Sequence, residues 1–239
     1  MHRLFPKKGT GRITEQMPQV LQAGLEPALF RTIVHGRLHG SLSPDIYCGS
    51  GSCILYGTNG DVKVGLDERT HKALWGLIRP DTPRYNGGII ISAEFYENAK
   101  CALRLTRQDL RNYDRRVYES TARDCEFFKA MIPDKELRES FISDAFRHTK
   151  DRYGESTALA VYFAEAHHNP IGRLLCVGKR SNHSFIFCNY GLDTNAGLLV
   201  AVGNGTQSMH GLDTLLMKEP RVRDEPDLRR AALYTTSAK

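Results

Sequence analysis

The 239-residue chain predicts an α+β fold, an antiparallel or mixed sheet with a helical insert of two to three helices in the middle of the chain. Three observations predict it. Strand signals gather between residues 53 and 95 and again between 173 and 205, and helical signals gather between 106 and 168. Strands segregated from helices in this way argue for α+β, because a doubly wound α/β sheet alternates the two. The Asn59-Gly60 pair between two apolar runs adds a local hairpin signal.

Residues 1–15 hold Arg3, Lys7, Lys8 and Arg12 with no apolar stretch, and read as a flexible basic N-terminal segment; residues 16–239 read as a single α+β domain. "EPALFRTIVHG" reads as a short helix, with Pro27 near its first turn and Gly36 as its stop. "CILYGTNGDVKVGL" is an apolar run, a turn and an alternating run, the pattern of a β-hairpin. "NGGIIISAEF" reads as a strand buried on both faces.

Thr106 with Asp109 resembles a capping box, and Leu110, Tyr113, Val117, Cys125 and Phe128 form an approximate apolar stripe, so a helix is predicted from 106 to about Ile132. Pro133 breaks it. A second helix is predicted over 135–152, burying Leu137, Phe141, Ile142, Ala145 and Phe146 and ending at Gly154. "STALAVYFAEAHH" reads as a third, stopped by Asn169-Pro170. "RLLCVG", "HSFIFCNYG" and "GLLVAVGNG" read as strands, and the charged stretch 213–239 as helical in part.

Composition is that of a soluble globular protein, 41% hydrophobic and 25% charged. No apolar run approaches the roughly 18 residues of a membrane helix, and no secretory signal peptide is read at the start. A cytoplasmic protein, or one translocated by a signal-peptide-independent secretion system, is expected. The net charge of +6 comes mainly from residues 1–40. Without a basic run it does not predict nucleic-acid binding. The six cysteines, Cys48, Cys53, Cys101, Cys125, Cys176 and Cys188, are expected to be reduced.

The chemistry-bearing pattern centres on "CGSGSC" at 48–53. A thiol hydrolase needs a thiolate, a histidine to take its proton and a third group to orient that histidine. His183 opens a predicted strand, and Asn204 lies in the turn after the next one, with Asp193 between them. Cys53 is thus the expected nucleophile, His183 the base and Asn204 or Asp193 the orienting group. The Gly49–Cys53 backbone would supply the oxyanion donors. These segments resemble the papain-like cysteine proteases and related thiol deamidases. Their Cys-Gly-Ser-Cys segment is similar to Cys48–Cys53, their Asn-His pair before an apolar strand to Asn182-His183 through Tyr190-Gly191, and their asparagine turn to Gly203-Asn204-Gly205-Thr206. The resemblance implies cleavage or deamidation of a protein or peptide substrate, with no cofactor. The hairpin signal makes Cys53 begin a strand where papain-like enzymes begin a helix. "GSCILY" resembles instead the sheet-borne thiol deamidases, and there His71 could replace His183 as base.

Three other readings stand beside this one. "LHGS" and "AVYFAE" resemble segments of ADP-ribosyltransferases of the poly-ADP-ribose polymerase type, which would give His39 and Tyr162 the task of gripping NAD. His167, His168, Cys176, His183 and Cys188 are metal-ligand types, but without CxxC or HExxH spacing, and no metal site is expected. A non-enzymatic binding protein, recruiting an acidic or nucleic-acid partner through its basic N-terminal segment, is the remaining class.

Overall fold

The structure is a computed structural model that describes residues 2–5, 11–113, 115–165, 168–178, 186–193 and 198–203. The chain opens with β1 (His2–Phe5), α1 (Ile13–Gln22), β2 (Leu25–Pro27) and α2 (Phe30–Leu38). Next come β3 (Cys48–Tyr56), β4 (Val62–Leu66), α3 (Glu68–Leu77), β5 (Arg84–Tyr85), β6 (Gly88–Ile90), α4 (Ala93–Asn98) and β7 (Cys101–Leu105). The middle holds α5 (Arg107–Leu110), β8 (Val117–Tyr118), α6 (Glu119–Asp124), α7 (Glu126–Met131) and α8 (Lys135–Tyr153). The last described part holds β9 (Thr157–Ala158), β10 (Val161–Tyr162), β11 (Ile171–Val177), β12 (Ile186–Phe187) and β13 (Leu198–Gly203).

The α+β class is what the structure has. One mixed sheet runs in the order β1-β13-β3-β11-β12-β10, with β2 beside β13, β4 and β7 beyond β3, and β5 and β6 beside β11. The first and last described strands lie together: β1 is antiparallel to β13, with His2 opposite Val202. Strand β3 is the spine. It is antiparallel to β11, parallel to β13 and antiparallel to β4.

All nine β3 residues are buried, so both faces of the sheet are covered. Side chains alternate across the pleat. Ile54, Tyr56, Val200 and Val202 enter one core with Phe30 and Ile33 of α2, Phe127 and Phe128 of α7, and Phe141 and Ile142 of α8. Cys53, Leu55, Leu199 and Ala201 enter the other with Ile13 and Met17 of α1 and Leu74 and Trp75 of α3. The sheet is therefore the middle of three layers. Two cations are buried within this frame on backbone carbonyls, not carboxylates. Lys63 donates to the carbonyls of Tyr96, Glu97 and Ala99 at the end of α4. Arg173 donates to those of Asn86, Asn189 and Tyr190.

Several predicted elements are present. The hairpin pairs Leu55 with Lys63 and Tyr56 with Val62 around the Asn59-Gly60 turn. Helix α8 is capped by Asp134, whose side chain accepts from Leu137 N at 2.8 Å, and stops at Gly154, whose φ of 67° suits a residue without Cβ. Other elements differ. The Thr106–Asp109 capping box exists, but it opens a single turn. The predicted helix 106–132 is cut into three by the Val117-Tyr118 strand, which pairs with Thr157-Ala158, and by extended backbone at Cys125. The third predicted helix is absent. Leu159 stands at φ 57°, and Val161-Tyr162 pair with Ile186-Phe187, so strand pairing overrides the apolar run. The expected strand at 86–95 is only three residues long before α4 begins. Within the stretch expected to be a flexible arm, residues 2–5 form a sheet strand and α1 begins at Ile13. Residues 213–239 lie outside the described residues.

Candidate functional site

The glycine-serine segment is the first correction. Residues 48–53 are the first two-thirds of a buried strand, not a loop that presents a nucleophile. Each small residue has a packing reason. A Cβ at Gly51 would stand 2.5 Å from the Pro27 carbonyl oxygen and 2.7 Å from the Pro27 Cβ. A Cβ at Gly49 would stand 2.8 Å from Ile13 Cδ1. Ser50 Oγ donates to the Leu175 carbonyl, and Ser52 Oγ accepts from Phe30 N at the start of α2. Glycine lets β2 and α1 approach the strand, and serine satisfies backbone groups that would otherwise be buried without partners.

Cys53 is 1% exposed. Burial pushes its thiol well above the ordinary cysteine range, against a modest opposing effect of Trp75. A catalytic thiol needs the reverse, a depressed pKa and an opening to substrate. Its sulfur contacts the Gly51 carbonyl at 3.4 Å. His71 does meet this residue, but through the backbone: Cys53 N donates to His71 Nδ1 at 3.1 Å. The imidazole is thus an acceptor for an amide proton. Desolvation lowers its pKa to about 4, with Asp67 opposing through its charge. His71 is neutral at pH 7, and since Nδ1 accepts, the ring proton sits on Nε2.

The other predicted site residues do not assemble around Cys53. His183 and Asn204 lie outside the described residues, as does His167. Asp193 is exposed on a turn, where its charge acts on the buried Arg173. Cys176 and Cys188 are fully buried core residues, and His168 is exposed. Among the described residues no three His, Cys, Asp or Glu side chains come close enough to share a metal ion. His39 caps the C-terminal end of α2. Tyr162 lies in β10, its ring stacked on Phe187 at 5.5 Å.

One cleft among the described residues has His71 in its lining. It encloses about 250 Å³ between the β2–α2 corner and the first turns of α3, and is lined by Glu26, Leu29, Arg31, Leu66, Asp67, Glu68, His71 and Trp75. Asp67 caps α3, accepting from Thr70 N at 2.8 Å, and the Thr70 side chain and amide together hold its carboxyl below the usual carboxylate range. The cap fixes the helix register, which puts His71 and Trp75, four residues apart, on one face. Their rings are parallel within 8° at 6.2 Å. Trp75 Nε1 donates to the Gly51 carbonyl at 2.7 Å, so the indole is anchored to β3. At the rim Lys72 bridges Glu26 at 3.1 Å and Glu68 at 2.7 Å. Trp75, Asp67 and this rim were not singled out in the sequence. The available signal was Asp67 before "ERTHKALW", a capped helix with the chain's sole tryptophan one turn after a histidine.

No protein-family model and no curated protein matches the chain. Among solved structures it is similar to a protein described in connection with the accommodation of massive sequence variation in Nanoarchaeota by the C-type lectin fold. The two are 15% identical, with a TM-score of 0.57 over 82% of this chain and 98% of that one. No helix among the described residues is long and apolar enough to cross a membrane. The likeness overturns both the papain-like resemblance and the thiol-hydrolase reading drawn from it: this chain has the C-type lectin fold.

Proposed function

We propose that this chain is a binding protein that takes one side chain of a protein or peptide partner into the cleft between the β2–α2 corner and α3. The lectin-like fold and the sealed Cys53 thiol support binding over catalysis. The observation that carries the reading is His71. It is 5% exposed and lines the cleft, its Nδ1 is taken by the Cys53 amide, and among the described residues nothing hydrogen-bonds its Nε2. That N–H is a fixed donor for a peptide carbonyl. The cleft, at about 250 Å³, lies below the range of roughly 300–1,000 Å³ usual for small-molecule pockets and suits a single inserted side chain.

The lining selects the side chain. Leu29, Leu66 and Trp75 offer apolar walls for an aliphatic stem, and the three carboxylates Glu26, Asp67 and Glu68 outnumber the two cations Arg31 and Lys72. The bridge from Lys72 to Glu26 and Glu68 displays how an ammonium is held there. A lysine-bearing segment is the matching partner.

Trp75, the only tryptophan, reports on the cleft directly. Titrating acetyl-Gly-Lys-Gly-amide should change its emission saturably, and acetyl-Gly-Glu-Gly-amide should bind more weakly. Glu68→Gln, at an exposed position, should weaken the lysine peptide. Equal binding of the two peptides, or no response of Trp75 to either, refutes the proposal.

A further inference from the structure

The last turn of α2 holds a second constellation, far from any role in the cleft. His35 and His39 are four residues apart, and the turn between them is closed by His39 N donating to the His35 carbonyl at 3.0 Å. That spacing puts the two side chains on one helix face. Their ring centroids are 4.2 Å apart, with planes inclined at 40°. His39 is exposed, whereas His35 is half-buried and its Nδ1 is buried without a hydrogen-bond partner among the described residues. We propose that His35 and His39 form a two-histidine site for a divalent transition-metal ion of the nickel, copper and zinc class.

The distance fits the chemistry. Two imidazoles bound side by side to one ion, with metal–nitrogen bonds of about 2.1 Å, put their ring centroids roughly 4.5 Å apart. The rings of His35 and His39 already stand close to that separation. Neutral imidazoles are required, and burial together with the neighbouring ring keeps the His35 pKa below the ordinary histidine value. The cation nearest in sequence does not interfere: Arg37 donates to the carbonyls of Gly178 at 3.0 Å and Ile46 at 2.5 Å and approaches Cys48 Sγ at 3.7 Å. Its guanidinium is committed to those contacts.

The ligand type sets the ion. Imidazole nitrogen without carboxylate suits nickel, copper and zinc, whereas calcium and magnesium demand oxygen. With no third His, Cys, Asp or Glu gathered among the described residues, water completes the coordination sphere. The site is therefore open and exchangeable, unlike the closed four-ligand sites that hold structural zinc. A bound ion would clamp the end of α2, the helix that packs on α8.

The test uses the full chain with no added histidine tag. Nickel chloride is titrated at pH 7.5 by calorimetry, and thermal unfolding is followed in parallel. The wild type should bind one nickel ion and unfold at a higher temperature in its presence. His39→Asn keeps a good helix-ending residue at an exposed position, so its metal-free unfolding temperature should be unchanged. Its nickel affinity should fall more than about tenfold, and the nickel-dependent rise in unfolding temperature should disappear. His168→Ala, at an exposed histidine outside the pair, should bind as the wild type does. If His39→Asn binds nickel as tightly as the wild type, or if nickel leaves wild-type unfolding unmoved, the site does not exist.

Discussion

Replacing His71 should change how stability depends on pH. The ring is nearly sealed between α3 and β3, and its pKa falls from 6.5 to about 4 on folding. Above pH 6.5 both folded and unfolded chains carry a neutral ring, and the group has no pH-dependent effect. As pH falls through 6.5 the unfolded chain takes up a proton that the folded chain refuses, so stability is lost progressively until about pH 4. Below that both states are charged and the loss is complete. A shift of this size corresponds to about 3 kcal/mol, at up to roughly 1.4 kcal/mol per pH unit within the window. Urea unfolding at half-unit steps from pH 4.5 to 7.5 measures it. The comparison is His71→Asn, which places an amide oxygen where Nδ1 stands and so preserves an acceptor for the Cys53 amide. Carboxylates and His35 titrate in both proteins, and the difference between the two curves isolates His71. The variant should lose most of the slope between pH 5 and 6.5. Equal slopes in the two proteins would mean that His71 is not a buried neutral acceptor, and the account of the cleft floor would fall with it.

Two further outcomes follow from the β3 segment. Gly51→Ala should destabilise the protein by at least the 1–3 kcal/mol or so typical of overpacking, because the new methyl meets Pro27 backbone at 2.5 Å and not the end of a flexible side chain; a loss under about 0.5 kcal/mol in a denaturant titration would contradict the close approach of β2. Iodoacetamide on the native protein at pH 8 should modify Cys101 and Cys125, the half-buried thiols, well before Cys48, Cys53, Cys176 and Cys188; peptide mapping that finds Cys53 alkylated first would overturn its assignment to the core.

How much of this was legible depends on how local each signal is. The Asn59-Gly60 turn was readable because two residues specify it wherever they stand. Helix α8 was readable because its cap at Asp134, its apolar spacing and its stop at Gly154 all agree. The helix expected at 156–168 failed because an apolar run of that length serves a buried strand equally well. What decides is pairing with Ile186 and Phe187, well downstream. The long helix expected from Thr106 failed for the same reason: its capping box is real, but Val117 and Tyr118 find strand partners across the length of α8.

The segment "CGSGSC" shows why the site was misread. Glycine and serine suit a mobile loop because they lack bulk and bond their own backbone. They suit a crowded strand for the same two reasons. Nothing within residues 48–53 separates the cases; Ile13 and Pro27 do, by arriving within a bond's length or two of where a Cβ would lie. The Cys53–His71 association was, by contrast, within reach of the sequence, and the two residues do meet. Its chemistry was inverted. The imidazole accepts a hydrogen bond from a backbone amide instead of taking a proton from a thiol, and its ring lines the cleft. A nucleophile–base pair and a strand–helix tie use the same residue types. They are told apart by burial, because burial raises the pKa of a sealed thiol and removes the reaction, while the histidine keeps its hydrogen bond to the strand.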